Sequence, residues 1–389
     1  MHEILCPTNI SEDLLEFKKY YLEFGVYTGT SINYLSKYLK TNIYGFDSFE
    51  GLREDWLGTT GIAAAGALTL QNLRFASGIN QDKTKFTPIG LTPMHGVDPQ
   101  KISFRTKAPE SQTPGGMDQM KYLTNFDYGK VSKLPNGRIQ REYTINAIPQ
   151  EIEIANNVKF PAWTFNGTVP GPTLRANEGD LIKINFGNGD SHSHTLHFHG
   201  IHPANMDGVF EVVPPGGNFV YEFAAKPFGI FPYHCHVLPL TKHIEKGLYG
   251  TLIIDPKKPR KPAKEMIMVM NGFDIDFDGE NEFYTVNGIA NYYVEYPIKF
   301  KVGELIRIYL SNMTEHDLIN SFHLHANMFN YYPNGTTFTP SEFTDTIMQC
   351  QGQRGIIEFT YDEPGQYLFH AHQSEFAELG WLGVFEVSN

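Results

Sequence analysis

His234-Cys235-His236 lies at the centre of the run Phe231 to Gly250, FPYHCHVLPLTKHIEKGLYG; seven residues separate Cys235 from His243, and Leu248 follows five positions later. A thiolate is a soft donor that suits copper and imidazole supports it, while the axial position of such a site is normally weak or empty. One sulfur plus imidazoles at this spacing is therefore the donor set of a blue, type 1 copper centre, with Leu248 on the axial side offering no donor atom. If Cys235 points at that metal from a strand, alternation turns His234 and His236 to the other face. There they can serve a second metal, joined to the first through the backbone of the cysteine. The competing reading is a buried cysteine among unrelated histidines, since free cysteine packs as a small hydrophobe.

The histidine pattern recurs. His197-Phe-His199 and His234-Cys-His236 are matched by His323-Leu-His325 and His370-Ala-His372. Around them Glu178 to Asn188 (EGDLIKINFGN) parallels Val302 to Asn312 (VGELIRIYLSN), and Gly247-Leu-Tyr-Gly250 parallels Gly380-Trp-Leu-Gly383. Each offset is close to the length of one sandwich domain, so the chain carries two copies of one fold, split near Pro256 to Pro262. Residues i and i+2 of a strand share a face, so each His-x-His pair can converge on one metal or bridge two. A single pair would say little, because a core histidine bonded to a neighbour is commoner. Four pairs at matching positions of a repeat say much more. The differences matter equally: His194 is replaced by Asn320 in the second copy, and Cys235 by Ala371. The second copy has lost the thiolate site and kept the paired histidines. That assigns the thiolate centre, His194, Cys235, His243 and Leu248, to the first copy.

These side chains need strands to hold them. With 36 Gly, 24 Pro and 14% aromatic residues in 389, the chain suits many short strands joined by turns. From Ile139 onward, alternating segments such as Arg141 to Asn146 and Asp180 to Phe186 sit between turn residues, as in an antiparallel β-sandwich. The expected fold is mainly β: two consecutive Greek-key sandwiches, 139–258 and 259–389, behind a short α/β fragment (1–56) and a long linker (57–138). In the fragment, Ser11 to Tyr21 and Ser31 to Leu39 have helical spacing, Leu22 to Tyr27 reads as a strand, and a second strand ends at Asp47. Gln71 to Arg138 is rich in Pro, Gly, Lys and polar residues and predicts an extended arm. A net charge of −12 argues against a nucleic-acid partner. Cys6, Cys235 and Cys350 are too few and scattered for a disulfide framework, leaving Cys6 and Cys350 as free or buried thiols. No apolar run reaches the roughly eighteen residues of a membrane span.

Three resemblances follow. His194-Thr-Leu-His-Phe-His-Gly200, Met206-Asp-Gly208, the HCH run and Trp163 to Pro172 (WTFNGTVPGP) resemble the multicopper oxidases, over about 250 residues from near 139 to the end. The nearest branch is the two-domain, laccase-like one with its type 1 copper in the first cupredoxin-like domain. The longer Cys-x7-His loop departs from many laccases. The run GFDSFEGLREDW, with Glu23 to Gly29 before it, resembles class I S-adenosylmethionine-dependent O-methyltransferases, which would put a cofactor near Gly25, Gly29 and Asp47. Two strands cannot bury the faces of such a fold, so methyl transfer is not expected. Leu57 to Leu70 resembles the core of a twin-arginine export signal, but Leu52-Arg53-Glu54-Asp55-Trp56 before it lacks the arginine pair. The expectation is an oxidase whose beginning has been exchanged for a methyltransferase-like fragment, by gene fusion or an assembly error.

The oxidase resemblance implies four coppers per chain. His197 and His323 match the type 2 ligands; His199, His234, His236, His325, His370 and His372 match the type 3 ligands of a trinuclear cluster. Phe376 and Trp381 stand where the second copy would need a type 1 histidine and an axial residue. A reducing substrate would give single electrons to the type 1 copper, and dioxygen would be reduced to water at the cluster. Asp207 and Glu375 match the family's acidic positions and would relay protons. The branch also implies a homotrimer, with the first domain of one chain facing the second of the next, and a periplasmic or otherwise exported location. Two rivals are a copper nitrite reductase, whose second copper needs three histidines and an Asp where this chain has His197, and a copper carrier without turnover. The substrate is open between phenols, aromatic amines and cuprous or ferrous ions; the 11 Met form no dense Met-rich insert.

Overall fold

The computed structural model describes residues 108–114 and 116–389, together with the backbone of two short strands, β1 (Tyr21–Phe24) and β2 (Ile43–Phe46). The chain divides into two units, 1–93 and 94–389. In the first unit β1 and β2 pair in parallel, Tyr21 opposite Ile43 and Phe24 opposite Phe46. Gly25, Gly29, Asp47 and the Leu57–Leu70 run lie outside the described residues, as does Cys6.

The second unit holds two β-sandwiches. The first is built from β3 (Phe126–Asp127), β4 (Lys130–Lys133), β5 (Ile139–Ala155), β6 (Val158–Phe165), β7 (Thr173–Asn177), β8 (Leu181–Asn188), β9 (His197–Phe198), β10 (Asn218–Ala224), β11 (Gly229–His234) and β12 (Tyr249–Asp255). One sheet runs β10-β8-β5-β4, with β6 also on β5, and the other runs β3-β7-β12-β11-β9. Alternation drives it: Ile182, Ile184 and Phe186 of β8 are buried while Leu181, Lys183 and Asn185 lean outward. β11 is buried along its whole length, because it lies between β12 and β9 and is covered on both faces.

The second sandwich repeats the plan. It comprises β13 (Lys264–Phe273), β14 (Phe283–Val286), β15 (Ile298–Lys301), β16 (Ile306–Asn312), β17 (Asn320–Leu324), β18 (Phe329–Pro333), β19 (Glu342–Thr344), β20 (Thr346–Gln349), β21 (Arg354–Phe359), β22 (Gly365–His370) and β23 (Leu382–Ser388). Its sheets run β14-β13-β16-β21-β18-β19 and β15-β23-β22-β17-β20. Short helices fill the connections: α1 (Gln119–Tyr122), α2 (Leu240–Glu245), α3 (Tyr292–Glu295) and α4 (Ser374–Glu378). None of the described helices is long and apolar enough to cross a membrane.

Each sandwich has its own core, and a third apolar cluster seals the seam between them. Phe160, Ile230 and Ile253 of the first meet Ile267, Val269, Phe273 and Ile356 of the second, with the Phe160 and Phe273 rings edge to face at 4.9 Å. At one edge Arg175 reaches Asp255 and Glu265, each at 2.7 Å, and Glu265 also holds Arg307 at 2.6 Å. Phe273→Ala is expected to cost about 3–5 kcal/mol, because the fully buried ring leaves a cavity in this seam. A urea midpoint shifted by less than about 1 kcal/mol-equivalent would show that the sandwiches are held mainly by other contacts.

The expected linker needs correction from residue 108 onward. Gln112 Nε2 donates to the carbonyls of Val169 (2.5 Å) in the first sandwich and Gly288 (3.1 Å) in the second. Gln119 Nε2 donates to Asn287 O at 3.0 Å, and Tyr122 OH to Gly171 O at 2.7 Å. β3 and β4 add strands to both sheets of the first sandwich. The segment is polar because its side chains satisfy backbone carbonyls across the seam, which composition alone reads as solvation.

Candidate metal centres

Two loops and a helix bring the thiolate set together. Cys235 follows β11, His243 sits on α2, and His194 is fixed by an isolated bridge to Val213. Cys235 Sγ lies 3.1 Å from His243 Nδ1 and 3.7 Å from His194 Nδ1, and the two imidazole nitrogens are 3.2 Å apart. All three residues are buried. Asp190 Oδ2 accepts from His194 Nε2 at 2.9 Å, which fixes the tautomer with Nδ1 free toward the sulfur. Thr195 N–H donates to Sγ at 3.4 Å, and its hydroxyl accepts from His236 N–H at 2.9 Å. The Trp163 ring packs on His194 and His243 at 5.3 and 4.9 Å. Leu248 is fully buried in the same apolar cluster as Cys235; its side chain has no donor atom, and its carbonyl accepts from Cys235 N–H at 3.0 Å. The turn before it requires glycine: Gly247 has φ +106°, and a Cβ there would stand 2.4 Å from Val169 Cγ2. Gly380 repeats the requirement in the second copy, with φ +121° and a Cβ 2.5 Å from Ala290 Cβ.

Burial dominates the electrostatics. It holds His243 down at about 4, helped by His194 beside it, and lowers His194 against the pull of Asp190. The imidazoles are thus neutral at physiological pH, the form that ligates metal. Burial raises the Cys235 thiol, so a bound cation is what would favour its thiolate. Asp190→Ala is expected to weaken copper at this centre by about 10–100-fold, since it frees the ring and its tautomer. Titration of the visible band reads this directly. An unchanged affinity would mean that the Trp163 packing alone orients His194.

The paired histidines form two matching sets. His197 and His234 are cross-strand neighbours on β9 and β11, as His323 and His370 are on β17 and β22. His199 Nε2 faces His234 Nε2 at 3.2 Å, and His325 Nε2 faces His370 Nε2 at 2.8 Å. His236 joins the first set with its ring 5.2 Å from His197, and His372 the second, 5.1 Å from His323. Backbone carbonyls hold the far nitrogens: His197 Nδ1 donates to Asp207 O (2.7 Å), His234 Nδ1 to Cys235 O (2.8 Å) and His370 Nδ1 to Ala371 O (2.5 Å). His323 Nδ1 is held by the Thr346 hydroxyl at 2.7 Å. Inward nitrogens with their outer partners already engaged are a donor set built for metal. Burial lowers His234 to about 4 and His199 to about 3. The second set is more open, with His325 and His372 exposed and His325 lining a surface cavity with Met328 and Phe343. Among the described residues, no ring of the first set packs on a ring of the second.

Where the second copy would carry a thiolate centre, aromatic packing fills the space. Trp381 is fully buried and donates through Nε1 to Asn320 Oδ1 at 3.1 Å, while Phe376 stacks on Tyr284 at 3.8 Å. Ala371 is buried between His370 and His372.

The two candidate carboxylates differ. Asp207 Oδ1 lies 3.3 Å from His197 Nδ1 and 3.6 Å from His202 Nε2. Gly208 makes this approach feasible, because at φ +74° any Cβ would collide with Leu196 O at 2.1 Å. Glu375 sits exposed on α4, three residues after His372. Partial burial and then Asp317, Glu280 and Glu378 raise its carboxyl, and no histidine is among those neighbours. Sequence reasoning missed Asp190, four residues before His194, and His202, whose Nε2 donates to Phe198 O at 2.7 Å.

Two β-sandwiches, each mixing parallel and antiparallel pairs rather than the purely antiparallel ones expected, with a buried Cys-His-His set and paired histidines, define a cupredoxin-type copper protein. The multicopper oxidase family model matches residues 147–259 and a second one of the same description matches 262–389. A crystal structure of a multicopper oxidase is 53% identical, with TM-score 0.69, covering 70% of this chain and 98% of that one. The chain belongs to the multicopper oxidase family, an oxidoreductase family whose cofactor is copper. A copper nitrite reductase structure from Nitrosomonas europaea is 25% identical, with TM-score 0.60, covering 64% and 94%. The copper-containing nitrite reductase of Neisseria gonorrhoeae is 27% identical over 249 residues, 59% of this chain; the match spans 63% of that protein's length.

Proposed function

We propose that this chain is a laccase-like oxidase that takes single electrons from a small reducing substrate (a phenol, an aromatic amine or a metal ion) and passes them to dioxygen. The observation that carries the reading is Cys235, its sulfur turned to His194 and His243 while its two sequence neighbours, His234 and His236, belong to the opposite set. Copper bound there would supply one-electron acceptance at the thiolate centre, type 1, and reduction of dioxygen to water at the paired histidines, four coppers per chain. The chain's own part is positional. His194, Cys235 and His243 would hold the first ion, and the buried Leu248 side chain nearby offers no donor atom, which would favour a high potential. His197 and His323 would hold the type 2 ion, and His199, His234, His236, His325, His370 and His372 the type 3 pair. Asp207 can hold a proton next to His197, and Glu375 can take one from solvent.

Among the described residues the ring contacts of the paired histidines stay within each set, so a cluster needing both is proposed to form between chains of a cyclic homotrimer. Exposed apolar side chains support this. Leu238 (81%) follows the first set, and Leu318 (90%) and Phe343 (62%) fringe the second. A periplasmic or otherwise exported location, which the family resemblance implies, is part of the same reading. The likeness to nitrite reductases keeps that reaction as the second reading. Metal analysis with an oxygen electrode separates them: the oxidase predicts four coppers per chain and oxygen uptake with phenols or metal ions. Two coppers with nitrite turnover would replace it by the reductase, and copper without any turnover by a carrier.

A further inference from the structure

A third convergence of metal-ligating side chains lies at the seam between the sandwiches. His316 Nε2 is 3.1 Å from Glu245 Oε2 and 3.8 Å from Asp274 Oδ2, and the three donor atoms fall within 4.8 Å of one another. Glu245 closes α2, the helix of His243. Residues i and i+2 of a helix do not share a face, so His243 turns into the first sandwich while Glu245 meets the second. Asp274 follows β13, and His316 lies in the loop between β16 and β17. His316 is held at φ +70°, uncommon for a residue with a side chain. The side chains of Glu245, His316 and Asp274 are 14%, 14% and 1% exposed.

An interdomain ion pair alone would need one acid for one base, and here the acids are in surplus. Asp274 also gathers with Asp276, Asp278 and Glu282, their oxygens within 4.8 Å. Burial, with Asp276 and Asp274 alongside, pushes the Glu282 carboxyl up to about 7. Against these stand His316, Lys246, which faces Glu245 and Asp274, and the N–H groups of Phe277, Asp278 and Gly279, which donate to the Asp274 carboxylate but carry no net charge. A bound cation relieves such an excess. One imidazole and two carboxylates suit a borderline first-row ion rather than calcium or magnesium, which take oxygen donors. Metal–ligand bonds of about 2.0–2.2 Å place neighbouring donors about 3–4 Å apart, as His316 stands from Glu245 (3.1 Å) and from Asp274 (3.8 Å).

We propose that Glu245, Asp274 and His316 bind one divalent first-row transition-metal ion, which ties α2 to the second sandwich. The test is equilibrium dialysis of the full-length, copper-loaded protein against low-micromolar Zn2+, with metal analysis of wild type and variants. Wild type should hold one more Zn2+ than Glu245→Gln, and His316→Gln should behave like Glu245→Gln, each binding at least about tenfold more weakly. An unchanged visible band and elution volume would confirm that both variants fold. Equal Zn2+ in wild type and both variants overturns the proposal. So does loss in Asp276→Asn with retention in Glu245→Gln, which would assign the ion to the acidic loop instead. Because the readout is a difference between variants, a wrong assignment of the copper centres would leave it intact.

Discussion

Cys235→Ser is expected to abolish the intense visible absorption of the copper-loaded protein and to lower substrate oxidation by more than about a hundredfold. Serine is close to cysteine in size, and the site is fully buried, so the fold should survive. The chemistry should not. A hydroxyl is a hard donor that stays protonated where burial already raises even a thiol. Under the proposed function, loss of the sulfur would remove the covalent link by which electrons would pass from the thiolate centre to His234 and His236. Metal analysis should show one copper fewer per chain, with the remainder held by the paired histidines. Retention of the colour in Cys235→Ser, or of full turnover without it, would refute the assignment.

Much of this centre was legible from residue type and spacing, because its chemistry is local. His-Cys-His fixes which side chains face which way once a strand is assumed, and the loss of Cys235 to Ala371 and of His194 to Asn320 located the thiolate set in one copy. The alternation of Leu181 to Asn188 likewise gave the sandwich. What escaped depends on contacts between distant segments. Asp190 orients His194 only because a loop turns it back onto Nε2. The polar stretch from 108 to 125 reads as linker until the carbonyls of Val169 and Gly288 that its Gln112 serves are seen. Glu375, which the family resemblance puts among the proton-relaying acids, stands exposed on a short helix with Asp317, Glu280 and Glu378 around its carboxyl, surroundings that spacing alone does not reveal. The seam site of Glu245, Asp274 and His316 joins three segments with no shared motif, so no pattern in the chain announces it.

The separation of the two histidine sets makes a stronger prediction about assembly. His199→Ala removes a ligand from the first set and His325→Ala one from the second, and both leave the thiolate centre untouched. Each variant alone should keep its visible band and lose oxygen reduction by more than about a hundredfold. Mixed chains should behave differently if each cluster takes its first set from one chain and its second set from the next. In a ring assembled at random from equal amounts of both variants, roughly a quarter of the junctions pair an intact first set with an intact second set. Co-expression with two affinity tags, followed by selection for both, should therefore restore oxygen uptake to a substantial fraction of wild type. Sedimentation of the active species should give the mass of three chains. If the doubly tagged assembly stays inactive, the two sets must serve separate metals within one chain, and a shared three-copper site is excluded.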